Sequence, residues 1–311
     1  MGRNFISLNK TSKVYIIKTE DRNFGVNELI NKFNFDEFSG EKIVIKANFN
    51  SADPFPASTN IETLESIIKK LKEFNISGIT LAERSGMGKT RSVLEKMGVF
   101  KLANDLDFNV VVLDEMNKEE WVKIEKDGNH WIRGFYLPKM FLDSTRVVQT
   151  CCLKTHRFGG HFTLSLKNSV GIVAKRLPGG IYNYMAELHL SPNQRQMIAE
   201  INKYYNVDLV VMDALEAFIT KGPEAGEIVK PGLLLAGNDR IAIDAVGVAI
   251  LRNYGVKTGI NKGKIFELDQ IKRAVELGIG VKSADEIELI PLNEESQEDV
   301  TNILNLFDKE V

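Results

Sequence analysis

The strongest constraint on this 311-residue chain is the alternation of short apolar runs with amphipathic segments. Six runs rich in Val, Ile and Leu, at 42–49, 78–82, 109–113, 146–153, 207–212 and 233–236, are read as strands. Those without polar alternation have the pattern of a strand covered on both faces. After the first run, Thr59-Asn60-Ile61-Glu62 forms a capping box opening a helix whose stripe is Leu64, Ile67, Ile68, Leu71 and Phe74. Helices are predicted again at 90–104, at 162–173, after the capping Ser191-Pro192, and from the N-cap Asp239 to about Tyr254. Another presents Leu268, Ile271, Ala274 and Val275, stops near Gly278 and precedes a strand at 286–291. This order predicts an α/β fold: a mostly parallel sheet with helices on both faces, as one unit or two closely packed lobes. The core is placed at about 40–290. Residues 294–311 read as a peripheral helix through Val300, Ile303, Leu304 and Leu306, while 114–136, with Trp121 and Trp131, carry no readable role.

Composition bounds the partners. With 43% hydrophobic and 26% charged residues the chain has the make-up of a soluble globular protein, and a net charge of −2 argues against nucleic acid. No leader-like h-region opens the sequence and no apolar run approaches the roughly 20 residues of a membrane span, so no membrane partner is expected and the expected compartment is the cytoplasm. The two cysteines, Cys151 and Cys152, are adjacent, which suits neither a disulfide framework nor the spacing of a zinc or iron-sulfur site. No iron-sulfur cluster is expected, and both thiols read as small buried residues facing opposite sides of a strand.

Charge is distributed unevenly. Residues 144–186 contain no Asp or Glu, although an even spread of 42 acids would place about six there. The same stretch holds Arg146, Lys154, Arg157, Lys167, Lys175 and Arg176, with His156, His161 and the pairs Gly159-Gly160 and Gly179-Gly180. Brought together, these cations would concentrate a small anionic ligand. The competing reading is a buried strand followed by a solvated basic helix.

Five blocks, in order, carry a family resemblance: Ile45-Lys46-Ala47-Asn48; Glu83-Arg84-Ser85-Gly86; Leu153-Lys154-Thr155-His156 with Leu166-Lys167-Asn168-Ser169-Val170-Gly171; Gly222-Pro223-Glu224-Ala225-Gly226; and Leu235-Ala236-Gly237-Asn238-Asp239. Together they resemble the family called domain of unknown function 362 over roughly 40–290, with Lys-Thr-His and the later Lys-Asn the most specific elements. The resemblance implies no particular reaction. Many members carry a ferredoxin-like cysteine segment that has no counterpart here, and Ala47, Cys151 and Ala214 depart from the usual proline, proline and glycine.

The residues of these blocks suggest chemistry. Lys154 and His156 follow an apolar strand, where ligands of open α/β sheets bind, and share one face of an extended segment. Gly159-Gly160 would let backbone approach a ligand. A desolvated lysine supplies a base or an amine nucleophile, and a histidine moves protons or binds metal. Lys154, His156 and Lys167 are therefore the catalytic candidates, and Asn48, Glu83, Ser85, Gly86, His161, Asn168 and Asp213 the ligand-binding ones. As a rim residue, Lys154 would contribute little to stability. His130 and His189 read as ordinary loop or interface histidines. Ser85-Gly86-Met87-Gly88-Lys89-Thr90 ends like a phosphate-binding loop, but Glu83 stands where that motif needs glycine, leaving a simple anion contact or a tight turn. Asp213, Glu224, Glu227, Asp239 and Asp244 lie at strand or helix ends, where converging carboxylates would hold a divalent metal. Asp239 is more simply an N-cap; Asp213, ending a buried strand, must be used or paired. Two readings remain: an enzyme acting on a small phosphorylated or carboxylated metabolite, with Asp213 or Glu83 as acidic partner, or a non-catalytic anion- or metal-binding accessory protein related to redox systems. Substrate, reaction and oligomeric state are not legible.

Overall fold

The computed structural model describes residues 11–143, 146–157 and 161–308. Its strands are β1 (Ser12–Lys18), β2 (Lys42–Lys46), β3 (Gly78–Glu83), β4 (Asn109–Val112), β5 (Trp121–Ile124), β6 (Phe135–Pro138), β7 (Arg146–His156), β8 (His161–Thr163), β9 (Leu209–Phe218), β10 (Ile228–Val229), β11 (Leu233–Gly237) and β12 (Ile287–Pro291). The helices are α1 (Arg22–Ile30), α2 (Ile61–Lys72), α3 (Thr90–Lys96), α4 (Val99–Leu106), α5 (Lys139–Leu142), α6 (Ser165–Asn168), α7 (Tyr184–Leu190), α8 (Gln194–Ile201), α9 (Arg240–Asn253), α10 (Asp269–Glu276) and α11 (Gln297–Asp308).

All six predicted strands form, and eight strands line up as β12-β1-β11-β9-β7-β2-β3-β4, with β8 and β10 attached to β7 and β9. The run β9-β7-β2-β3-β4 is parallel throughout. β11 runs antiparallel to both its neighbours, and the short β8 and β10 run antiparallel to β7 and β9, so the mostly parallel sheet carries one reversed strand within its eight-strand path and two at its margins. β1 was not anticipated. Its sequence, SKVYIIK, is too short to outweigh its polar ends, and it is a strand because β11 and β12 pair with it on either side.

Alternation along the strands divides the core. Ile43 and Ile45 face one way, packing with Leu64, Ile67, Ile68 and Leu71 of α2 and with α1 and α4. Val44, Ala82 and Val147 face the other, under Trp131, Phe135, Tyr184 and Met197; beside them Val14, Ile16, Leu153 and Met212 pack against α9, α10 and α11. Helices thus cover both faces. The segment 114–136 gains a role as part of this second cover: β5 and β6 form a two-stranded sheet, and Trp131 is fully buried with its indole N–H donating to Met197 O at 3.3 Å.

Several local expectations are corrected. Residues 162–173 form β8, the four-residue α6 and a 3-10 turn rather than one helix, because Phe162 and Thr163 pair back onto β7. The region 90–104 splits into α3 and α4 at Gly98, whose φ of 78° breaks the helical path. Ser191 braces the turn before α8 by accepting from Asn193 N at 3.1 Å, and the helix itself begins at Gln194. Asp239 caps α9 as expected, accepting from Ile241 N and Ala242 N, and additionally holds Val281 N at 2.8 Å. In α11 the buried stripe is Val300, Ile303 and Phe307, while Leu304 is exposed. Among the described residues, no helix is long and apolar enough to cross a membrane.

Candidate active site

β7, β2 and β3 are adjacent parallel strands, and each ends on chemistry: His156, Lys46 and Glu83. Beyond these carboxyl ends lies a cleft of about 160 Å³, the position where ligands bind in open α/β sheets. It is lined by residues of all three strand ends, by Lys167, Asn168 and Gly171 of α6 and the turn after it, by Met185 and His189 of α7, and by Pro223 and Glu224 of the loop after β9.

Its floor is a buried ion pair. Lys46 Nζ donates to Glu83 Oε1 at 2.6 Å and to Asn168 Oδ1 at 3.2 Å, with both charged side chains 1% exposed. Glu83 also accepts from the backbone of Phe49 at 3.1 Å and of Arg84 at 2.9 Å. Burial is the largest influence on both groups, lowering Lys46 and raising Glu83 toward their neutral forms, and each partner's charge opposes that shift. Gly171 is fitted to this pair: a Cβ there would stand 2.7 Å from Lys46 Nζ and 2.9 Å from Glu83 Oε1. Arg84, also buried, spends its guanidinium on Val173 O (2.8 Å), Ser85 O (3.1 Å) and Val170 O (2.5 Å), tying the end of β3 to the chain after α6.

Lys154 is fully buried, donating to Asn48 Oδ1 at 2.5 Å and to Ala57 O. Burial lowers its pKa. The expectation of a solvated rim lysine is therefore wrong. A β-bulge between Cys152 and Lys154 breaks the β7–β9 register at this point.

Lys167 differs from its neighbours. Asp244, fully buried on α9, accepts from Ser165 N at 2.8 Å and from Leu166 N, and so anchors the start of α6 two residues before Lys167. The ammonium itself has no carboxylate or hydrogen-bond acceptor among the described residues. Enclosure by protein, then the nearby Lys154 and Arg84 charges, push its pKa down from 10.5 to about 7. It keeps part of its surface open to the cleft. A lysine near half-protonation at neutral pH can act as acid or base, and when charged it presents an uncompensated cation.

Of the residues singled out in the sequence, Lys154, His156, Lys167, Asn48, Glu83, Gly86 and Asn168 line this cleft. Ser85 does not: it lies behind it, donating from Oγ to Phe49 O at 2.6 Å. His161 points away to a separate depression, its Nε2 2.5 Å from Arg195 Nη2; burial, then Arg195, lower its pKa. Asp213 is also elsewhere: β9 continues past it to Phe218, so it lies within the strand rather than at its end, and it is paired there with Arg22 Nε at 2.9 Å and Thr63 Oγ1 at 2.5 Å. Gly159-Gly160 lie outside the described residues. Arg146 binds Asp208 away from the cleft, and Lys175 and Arg176 line another groove with Asp114 and Glu115. The acid-free stretch therefore serves more than one surface.

Residues 85–90 form a tight turn. Thr90 Oγ1 accepts from Ser85 N at 2.9 Å and donates to Asp114 at 2.5 Å, which puts a carboxylate at the start of α3 in place of an anion. The acidic candidates do not converge: Glu224 pairs with Arg157, Glu227 with Lys257, and Asp239 and Asp244 hold backbone amides. Among the described residues no group of three or more His, Cys, Asp or Glu could hold a metal ion. Burial raises both thiols, Cys152 to about 11. Sequence reasoning missed Lys46 and Arg84 as cleft residues, although a lysine closing a buried β-branched strand was itself a signal. It also missed His189, which lines the cleft with Nδ1 2.6 Å from Met185 O.

The family model described as "Domain of unknown function (DUF362)" matches residues 43–249, which include every strand end of the cleft. No curated protein matches the sequence. Among solved structures, the lactate racemase apoprotein from Thermoanaerobacterium thermosaccharolyticum aligns over 94% of this chain and 86% of its own, with a TM-score of 0.45 and 14% identity. At that level nothing about chemistry follows.

Proposed function

The chain belongs to the domain of unknown function 362 family, and on that premise we propose that its cleft binds a small carboxylate- or phosphate-bearing metabolite and moves a proton on it. Lys167 carries this reading: an amine facing the cleft without an acidic partner, held near neutrality by burial and by Lys154 and Arg84. An arriving anion would supply the missing counter-charge, and an amine with a pKa of about 7 exchanges protons at physiological pH. The cavity of about 160 Å³ is smaller than the roughly 300–1,000 Å³ of drug-sized sites, which favours a small metabolite. Lys46, Glu83, Lys154 and Asn168 act as a fixed frame, since their polar atoms are already bonded to one another or to backbone.

Calorimetric titration of wild type and Lys167→Met with inorganic phosphate, acetate and butanoate tests the binding half. Wild type binds, and the variant loses about tenfold or more in affinity, the range for a hydrogen bond to a charged group. Equal affinities would remove Lys167 from the site. The saturation of Lys46 and Lys154 favours a second reading, a carrier that binds without reacting. Proton NMR of bound carboxylates in D₂O separates the two: a proton-moving enzyme exchanges a ligand C–H for deuterium, a carrier does not.

A further inference from the structure

We propose that the ligand of this cleft carries, beside its anionic group, a hydrogen-bond donor, hydroxyl or amine, that is received by Glu224 and Thr163. This rests on the anion-cleft reading and specifies its substrate class. Two residues lining the cleft each carry a buried side-chain oxygen with no hydrogen-bond partner among the described residues: Glu224 Oε2 and Thr163 Oγ1. Glu224 is not simply idle, because Arg157 holds it through Oε1; the second oxygen has no donor among the described residues. A carboxylate oxygen sealed from water without a donor is costly, and such atoms at a cleft wall mark where a partner is absent. Thr163 is only 6% exposed and stands opposite Lys154 in the β7–β8 register, so its side chain lies on the face of the sheet that Lys154 uses.

The cleft is thereby polarised. Lys167 on α6 offers a donor without an acceptor, and the Glu224 loop offers an acceptor without a donor. A bare anion would satisfy the first and leave the second unmet. A molecule with an anionic end and a hydroxyl or amine end satisfies both, with Thr163 able to donate to or accept from the same group. Glu224 comes from the loop after β9, outside the acid-free stretch, so the one chain segment depleted of acids supplies the anion end and another supplies the donor end.

The experiment measures affinities of matched ligands: ethyl phosphate against 2-hydroxyethyl and 2-aminoethyl phosphate, and butanoate against 3-hydroxy- and 3-aminobutanoate. Wild type, Thr163→Val and Glu224→Gln are compared, with thermal unfolding as a folding control. Valine replaces a hydroxyl that has no partner among the described residues, so this variant keeps its stability. In wild type the donor-bearing members bind about tenfold or more tighter than their parents, as expected for a bond to a charged acceptor. That preference shrinks in Thr163→Val, and in Glu224→Gln the amine loses more than the hydroxyl, because the charge is gone. Hydroxyl preferred over amine, or the reverse, identifies the donor. Equal binding of parents and derivatives, with Lys167-dependent anion binding intact, overturns this inference alone and assigns the two atoms to water. No binding of any anion overturns the underlying reading as well.

Discussion

Replacing Lys167 with methionine should make the protein more stable, by an amount that depends on pH in a defined direction. In the unfolded chain the amine keeps an ordinary pKa near 10.5, while in the fold it falls to about 7. A lowered lysine pKa means that folding expels a proton, so the residue destabilises the fold. That cost is full below pH 7, shrinks as pH rises, and vanishes above 10.5. At 1.36 kcal/mol per pKa unit the fall from 10.5 to about 7 corresponds to about 5 kcal/mol. Water in the open part of the cleft and local relaxation reduce this, and about 2–3 kcal/mol at pH 7 is expected, because effective dielectrics in proteins exceed those of dry interiors. With an unfolding entropy of about 2.1 cal/mol/K per residue over 311 residues, this raises Tm by about 4 °C. Urea or thermal unfolding of both proteins at pH 7 and pH 10 measures it. The gain at pH 10 should drop below about 1 kcal/mol. A variant less stable than wild type at pH 7, or a gain that does not shrink with pH, refutes an uncompensated Lys167.

Gly171→Ala should cost about 1–3 kcal/mol and weaken anion binding, since the new methyl would press on the Lys46–Glu83 pair; unchanged unfolding and binding would show that the pair yields. Asp244, which burial pushes up to about 8 and so keeps largely protonated at neutral pH, still accepts from the buried Ser165 and Leu166 amides. Asp244→Ala should lower stability by about 1–3 kcal/mol and move the chemical shifts of α6, and a loss under about 0.5 kcal/mol would mean that water replaces the side chain. Both thiols, buried with raised pKa, should resist a water-soluble disulfide reagent at pH 8 until urea unfolds the chain, and rapid labelling of the native protein would contradict their placement.

How much of this was legible depended on whether the signal was local. The parallel strands β2, β3, β4, β7 and β9 were readable because apolar runs covered on both faces are a property of sequence alone. The existence of β1 was not, since it follows from pairing with β11 and β12 across more than 200 residues, and the reversed direction of β11 was not, since an apolar run carries no sign of the direction in which it pairs with β9 and β1. The rule that a charge closing a buried strand must be used or paired pointed to Asp213, which Arg22 and Thr63 satisfy structurally. Applied to Lys46, the same rule would have found the cleft floor. Lys154 was mistaken for a rim residue because nothing local announces that Asn48 and Ala57 fold over it. His161 was grouped with His156 by proximity in sequence, but its φ of 56° turns the chain and Arg195 draws its ring elsewhere.

The most direct test of the central claim is the proton balance of anion binding. An anion beside Lys167 restores the amine's charged form, so at pH 8, where an amine of pKa about 7 is mostly neutral, binding must take up a proton. Titrating butanoate, which does not itself titrate near neutrality, in buffers of different ionisation enthalpy gives that number. The account predicts uptake close to one proton at pH 8, little at pH 6, and none in Lys167→Met. Binding at pH 8 without proton uptake, or with uptake that survives in the methionine variant, would contradict it.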